Sequence, residues 1–368
     1  KFMGGQTKTE AATTIRKLRE RGMNSSLDIL GEATISEQEA DVYQQAYLEL
    51  ISNMAEETVQ WQHDPALDHC FGREIPRLNI SLKPSSLYSQ INAADYRGSV
   101  QAILKRLYPI IECAREHDAF VMIDMEQYDY KHITLAVFNH LLTDKALSDW
   151  PNIGIAIQAY LKDAHRDLQS LARTLQQRDA PACVRLVRGA YWDYETVIAK
   201  QNNWDAPVWS VKQNTDANFE HCLDYLLSRS ELFNTAVASH NIRSLAATTA
   251  LAEHHDVDTG DYEFQMLYGM ADPLKKALIQ QQKQLRIYVP YGRTLPGMSY
   301  LVRRLLENSS GESILDIGLK SQIDNSDLQK PVFVEENTIH RQPSGFQNTP
   351  LLRFTDMAEH EQFQQALE

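Results

Sequence analysis

Leu78-Asn79-Ile80-Ser81-Leu82-Lys83, a helix-compatible pattern over 96–116, and Phe120-Val121-Met122-Ile123-Asp124 form one repeating unit of this chain. A short apolar run leads through an amphipathic segment to another apolar run. Strand-then-helix alternation argues a parallel sheet with crossover helices. Strand-like runs recur at 27–30, 78–82, 120–124, 153–158, 183–187, 235–240, 262–267 and 285–289, with helix-compatible segments at 37–60, 96–116, 161–177, 218–228, 243–254 and 273–282. Eight such units predict an α/β fold of the (β/α)8 TIM-barrel type.

The composition is compatible with that size of fold. The chain has 368 residues, 43% hydrophobic and 23% charged. Its net charge of −13 argues against broad phosphate-backbone binding, so no nucleic-acid partner is expected of this segment. Cys70, Cys113, Cys183 and Cys222 are widely spaced, with no metal-type or redox pair, as expected of a reduced intracellular protein. No apolar run reaches membrane-span length, and no signal-peptide core opens the chain. It begins without an initiator Met, as a piece of a longer protein would. From about Ser321 the character changes to turn signals, among them Pro343-Ser344-Gly345 and Asn348-Thr349-Pro350. The expected division is a barrel over 1–320 and a tail or linker over 321–368.

Polar side chains gather at the run ends. Lys83 follows the second run, Asp124 and Glu126 end the third, and Gln158 ends the fourth. Arg185 and Arg188 belong to the fifth, His240 ends the sixth, Gln265 lies in the seventh and Tyr288 in the eighth. In a TIM barrel the carboxyl ends of the strands form the active-site mouth, so these residues are expected to converge. Beyond the eighth run, Met298, Leu301, Val302, Leu305 and Leu306 form an apolar helical stripe, with Tyr300, Arg303, Arg304 and Glu307 on the other face. An adjacent arginine pair is ordinarily a solvated surface. Placed over a barrel mouth, it would instead grip a small carboxylate by charge-assisted hydrogen bonds.

Other motifs keep two readings. Arg185-Leu186-Val187-Arg188-Gly189-Ala190-Tyr191-Trp192 is an ordinary strand end with an aromatic cap, or a cradle for an anionic ring system. Lys83 before Pro84 is a surface lysine, a carboxylate ligand or a Schiff-base amine. Glu32 is a helix-start charge or a gate paired with the arginine face. His240 is structural, or serves in phosphate or proton chemistry. His63 with His69, and His254 with His255, lack a metal-site spacing, so no metal is expected. G-x-G-x-x-G and P-loop fingerprints are missing, so a nucleotide cofactor would be held another way.

Tyr300-Leu301-Val302-Arg303-Arg304-Leu305-Leu306-Glu307-Asn308 resembles the proline dehydrogenase signature. So do Arg185–Trp192, Tyr262-Glu263-Phe264-Gln265-Met266-Leu267-Tyr268-Gly269-Met270 and Leu30-Gly31-Glu32-Ala33, in the family's order, and the likeness spans roughly 2–318. The chain most resembles the proline dehydrogenase domain of bifunctional proline-utilisation A flavoenzymes. Phe346-Gln347-Asn348-Thr349-Pro350 and Phe354-Thr355-Asp356 look like the link toward their aldehyde dehydrogenase domain, which would be covalently fused in the full-length protein.

The resemblance implies a distorted (β/α)8 barrel with noncovalent FAD at its carboxyl-end mouth and the final helix above. It implies oxidation of L-proline to Δ1-pyrroline-5-carboxylate, with electrons passed to a membrane quinone by a cytoplasmic enzyme peripherally associated with the inner membrane. Arg303 and Arg304, with Lys83, would hold the proline carboxylate. Tyr191, Leu267, Tyr288 and Tyr300 would wall the ring. Glu32 would pair with Arg303 as a gate. Asp124 would organise the polar network, Arg185 would sit near flavin N5 and Gln158 would meet the isoalloxazine. Met125, Val187, Arg188, Gly189, Ala190, Trp192, Ser239, His240, Gln265 and Glu307 would complete the FAD site, which Tyr191 and Leu267 also border.

The likeness has departures: Arg188 stands where lysine is usual, Met125 where a small residue is usual, Ser239 for a common Thr, and Tyr268 at a position that is often His. Two other functions remain open at this point: an aldolase-type lyase using Lys83 as a Schiff base, and a non-catalytic flavin-binding module.

Overall fold

The computed structural model describes residues 2–31, 33–309, 350–355 and 357–367. The chain opens with α1 (Lys8–Arg19), β1 (Asn24–Ile29), α2 (Glu37–Val59), α3 (Pro65–Asp68), and the short strands β2 (His69–Cys70) and β3 (Arg73–Glu74). Then come β4 (Leu78–Leu82), α4 (Tyr96–Glu116), β5 (Ala119–Ile123), α5 (Tyr128–Thr143), β6 (Ile153–Gln158), α6 (Ala164–Leu175) and β7 (Ala182–Val187). The rest is α7 (Trp192–Asn202), α8 (Lys212–Leu227), β8 (Phe233–Ala238), α9 (Ile242–His254), β9 (Tyr262–Leu267), α10 (Asp272–Gln280), β10 (Leu285–Tyr291), α11 (Met298–Ser309) and α12 (Met357–Leu367).

Strands β1 and β4 to β10 close a barrel in the order β1-β10-β9-β8-β7-β6-β5-β4. Every pairing in it is parallel. This is the expected (β/α)8 architecture, with one addition. The antiparallel β2–β3 hairpin places Phe71 against Phe120, Met122, Cys183 and Ala236, and the Phe71 N–H donates to Gly260 O at 2.8 Å. These contacts lie toward the amino ends of the strands, so the hairpin stoppers that end and leaves the carboxyl end for a site.

Several helices start where a side chain satisfies a free N–H group. Ser36 accepts from Glu39 N ahead of α2, and Asp95 accepts from Gly98 N ahead of α4. Their buried stripes, such as Ile103, Leu107, Ile110 and Ala114 of α4, pack on outward-facing strand residues such as Ile80 and Val121. Period-two alternation then turns Asp28, Ser81, Arg185, Gln265 and Tyr288 toward the barrel axis.

Strands 78–82, 153–158 and 262–267 match their sequence runs residue for residue. The sixth run was expected at 235–240, but the strand is Phe233–Ala238, because Ser239 and His240 leave the ladder for the mouth. On α11 the apolar stripe faces outward: Met298, Val302, Leu305 and Leu306 are 47, 46, 60 and 58% exposed. Of the proposed tail, 321–349 lies outside the described residues.

Candidate active site

A cleft opens at the carboxyl ends of the strands, with about 1080 Å³ of unfilled space counted to its mouth. Each expected polar run end except Glu126 contributes to its wall. Lys83, Asp124 and Met125 come from the β4 and β5 ends, Gln158 from β6, and Arg185, Val187, Arg188, Gly189, Ala190 and Tyr191 from β7 and its exit. Ser239, His240, Gln265, Leu267 and Tyr288 line the opposite side. Tyr300, Arg303, Arg304 and Glu307 of α11 close the top. Among the described residues, one expected site residue is not in the wall. Trp192 starts α7 beside the mouth and donates its indole N–H to Trp209 O at 2.8 Å. Glu32 lies outside the described residues.

The floor is a chain of alternating charges. Arg286 Nε meets Glu263 Oε1 and Oε2 at 2.9 and 3.1 Å, and Gln265 Nε2 donates to Glu263 Oε1 at 2.5 Å. Arg185 donates from Nε to Gln265 Oε1 at 2.6 Å, from Nη1 to Asp124 Oδ1 at 2.5 Å and from Nη2 to Ser81 Oγ at 3.0 Å. Tyr288 Oη donates to Asp124 Oδ2 at 2.7 Å and accepts from Lys83 Nζ at 3.2 Å. Lys83 also reaches Asp28 Oδ1 at 2.9 Å. Arg286, Glu263, Arg185, Asp124, Lys83 and Asp28 are all buried, three cations interleaved with three anions. Interleaving lets each buried charge keep a partner, without which burial would be very costly.

Proton placement follows from this packing. Burial opposes the Lys83 ammonium, but Asp28, Tyr288 and Asp124 overcome it and hold the group well above the ordinary lysine range. Burial raises the Asp28 carboxyl to about 6, against the pull of Lys83. Burial and the Asp124 charge keep the Tyr288 phenol protonated. Lys83 is therefore a fixed cation, a poor Schiff-base nucleophile.

The roof works differently. The Arg303 guanidinium lies 4.8 Å from the Tyr191 ring centre and that of Arg304 lies 5.3 Å from the Tyr300 ring. Arg304 Nε stands 3.1 Å from Glu307 Oε2. His240 Nε2 accepts from Leu267 N at 3.0 Å, so its proton belongs on Nδ1, which faces Glu307 Oε1 at 3.8 Å. The Tyr300 hydroxyl is buried without a hydrogen-bond partner among the described residues.

The β7 exit is shaped for close approach. Gly189 has φ +133°, and an added Cβ would strike the Tyr160 ring at 2.5 Å. Arg188 binds Asp216 Oδ1, Ser239 Oγ and Ser244 Oγ at 2.8, 2.7 and 2.6 Å. A lysine could not span those partners with one nitrogen, so the guanidinium changes the hydrogen bonding while keeping the charge. Gln158 donates to Glu126 O at 2.8 Å and accepts from Ala190 N at 3.4 Å.

Sequence reading missed Asp28, Ser81, Glu263 and Arg286. Asp28 carried a usable signal: a charge in the last positions of a barrel strand, where Lys83 and Asp124 also stand. Glu263 and Arg286 sit earlier in their strands and carried none.

Along most of its length the chain is similar to known proteins. The family model for proline dehydrogenase matches residues 11–316. The bifunctional protein PutA of Klebsiella aerogenes is 32% identical over 323 residues, which is 86% of this chain and 24% of that protein. Proline dehydrogenase 1 of Bacillus subtilis is 28% identical over 319 residues, 87% of this chain and 89% of the relative. A crystal structure of proline utilization A from Bdellovibrio bacteriovorus inactivated by N-propargylglycine superposes with a TM-score of 0.92 at 41% identity, covering all of this chain and 39% of the other. The chain thus spans about a quarter of the length of its bifunctional curated relatives. On the match of most of its length, the chain belongs to the proline dehydrogenase family.

Proposed function

We propose that this chain oxidises L-proline to Δ1-pyrroline-5-carboxylate with FAD as its cofactor, the first step of proline catabolism, and passes the electrons to a membrane quinone. The observation that carries this reading is the meeting of two cationic surfaces across one cleft: Arg303 and Arg304 above, Lys83 and Arg185 below. A small amino acid offers a carboxylate to the roof and its ring carbon to the interior. The Bdellovibrio relative is inactivated by N-propargylglycine. That compound is a secondary amino acid, as proline is.

The residues present fit a flavin. Three of the Arg185 N–H groups are bound to Gln265, Asp124 and Ser81. A guanidinium has five, so two remain for an electron-rich ring edge. Val187, Gly189, Ala190 and Tyr191 give one wall, Met125 and Gln158 another, and Arg188, Ser239, His240, Gln265, Leu267 and Glu307 the far side, with Trp192 at the margin. Bound FAD supplies a hydride acceptor at N5.

The protein's part is orientation. Arg303 and Arg304 clamp the carboxylate, assisted by Lys83. Tyr191, Leu267, Tyr288 and Tyr300 wall the ring, and Asp124 fixes the Lys83 ammonium, the Tyr288 phenol and Arg185 relative to one another. The reacting amine must be neutral, so activity rises with pH.

No helix among the described residues is long and apolar enough to cross a membrane. In this reading the enzyme delivers electrons to a membrane quinone by peripheral association with the inner membrane, on its cytoplasmic side. In a longer protein, residues 321–368 would lead toward a covalently fused aldehyde dehydrogenase domain; the chain spans 24% of the bifunctional Klebsiella aerogenes relative.

The test is an absorbance spectrum of the purified protein before and after anaerobic addition of L-proline. The expected result is a flavin band that proline bleaches. A colourless protein, or one that borohydride links to its substrate through Lys83, would overturn the reading in favour of a lyase.

A further inference from the structure

We propose that Glu263 and Arg286, a buried ion pair one layer below the cleft, are positioning residues that set the direction of the Gln265 amide and thereby the aim of Arg185. The proposal rests on the flavin-dependent reading of the cleft. Neither residue lines the cleft, and each is 3% exposed.

Glu263 and Gln265 are two apart on β9, so both point to the barrel axis. The Gln265 amide has an accepting oxygen and a donating nitrogen, whereas the Arg185 guanidinium only donates. The contact from Arg185 Nε at 2.6 Å therefore exists for one amide orientation. In the flipped orientation, an NH2 group would face the guanidinium.

Glu263 makes the choice. An ionised carboxylate only accepts, and its Oε1 takes the Gln265 NH2 at 2.5 Å, leaving the amide oxygen for Arg185. Arg286 makes such a carboxylate tolerable there. Its Nε binds both Glu263 oxygens, and its Nη1 is anchored on Ser25 O at 3.1 Å. A carboxylate buried without a cation would otherwise take up a proton. A protonated carboxyl donates as well as accepts, and the discrimination would be lost.

The polarity thus runs from a charge pair that meets no ligand to the guanidinium that borders the flavin site. With its Nε bond lost, Arg185 keeps Asp124 and Ser81 and is free to tilt. A cation that tilts away from the flavin favours the reduced cofactor less and places hydride transfer less well.

Two variants test this in the FAD-loaded protein. Glu263→Gln keeps the volume and an acceptor for Arg286, but replaces an acceptor-only neighbour of Gln265 by one that also donates. The double change Glu263→Met with Arg286→Met removes the pair without stranding a charge, a replacement that buried pairs often tolerate. In both, the flavin midpoint potential, measured by dye-coupled reduction without proline, is expected to move negative. Bleaching at saturating proline is expected to slow by roughly tenfold to a hundredfold, with proline KM within about twofold of the unmodified protein.

A folded variant with unaltered potential and bleaching rate would overturn the proposal, as would a loss confined to KM. Glu263→Gln carries the test if the double variant does not fold. If proline fails to bleach the unmodified protein, the substrate reading falls instead, and the potential still decides the role of the pair.

Discussion

On the floor of the cleft, Lys83, Asp124, Arg185 and Tyr288 arrive on different strands and hydrogen-bond one another. On the roof, Tyr300, Arg303, Arg304 and Glu307 come from two turns of one helix and meet the barrel through ring faces and a histidine. The floor cations are each matched by a carboxylate within the barrel, so floor chemistry and barrel stability are the same interactions. The roof presents its polar face inward and its apolar stripe outward, the reverse of an ordinary surface helix. The difference suggests a division of labour: the floor holds the reacting centre rigidly, and the roof supplies charge for a substrate's carboxylate.

The largest expected effect of breaking this comparison is on stability. Lys83→Met leaves Asp28 and Asp124 facing each other without their shared cation. Loss of one member of a buried ion pair typically costs about 3–5 kcal/mol. Arg303→Met, on the half-buried roof, should cost about 1 kcal/mol or less. Urea unfolding of the two variants measures the contrast; equal losses would mean that floor and roof are built alike.

Substrate choice sharpens the comparison on the floor side. The Tyr288 hydroxyl is committed to Asp124 and Lys83, so its ring is fixed in the cleft wall. A hydroxyl on carbon 4 of the substrate would press on it, and overpacking costs about 1–3 kcal/mol. Proline should therefore be preferred over trans-4-hydroxyproline. Tyr288→Ser should narrow the ratio of the two kcat/KM values while weakening proline itself. An unchanged ratio would remove Tyr288 from the ring wall.

A smaller effect lies outside the cleft, on α7, where Glu195 accepts the Tyr128 N–H at 2.6 Å. Burial, with a lesser push from Asp129, raises its carboxyl to about 7, against the pulls of the Tyr128 N–H and Arg353. A carboxyl raised on folding contributes stability that is complete below its unfolded value, near 4.5, and is lost as pH rises through about 7. Glu195→Gln cannot ionise and escapes that loss. The Tm of the variant relative to the unmodified protein should therefore climb between about pH 4 and about pH 8, an interval that spans both values. A flat difference would mean that Glu195 does not titrate there.

Much of this molecule was legible in its sequence, for identifiable reasons. Strand runs such as Ile153–Gln158 announce themselves because a parallel strand buried on both faces is apolar throughout. Polar groups such as Lys83, Gln158 and His240 stand out against those runs, and the barrel topology brings them to one mouth. What escaped was long-range pairing. Lys83 meets Asp28 across 55 residues and Arg286 meets Glu263 across 23, and no local pattern links the members of either pair. The faces of α11 were readable from their period, and reading it as a roof over the barrel mouth put its arginine face inward, although a polar inward face reverses the pattern of an ordinary surface helix.

The division between roof and floor is tested most directly by comparing L-proline with pyrrolidine, which is proline without its carboxylate. Flavin bleaching by each should be followed in the unmodified protein and in the Arg303→Met, Arg304→Met double variant. Each charged hydrogen bond to the carboxylate is worth about 1.5–3 kcal/mol. The preference for proline should thus fall by about a hundredfold or more in the double variant, while pyrrolidine kinetics stay close to those of the unmodified protein. A preference that survives loss of both arginines, or a variant that loses both substrates equally, would contradict the account.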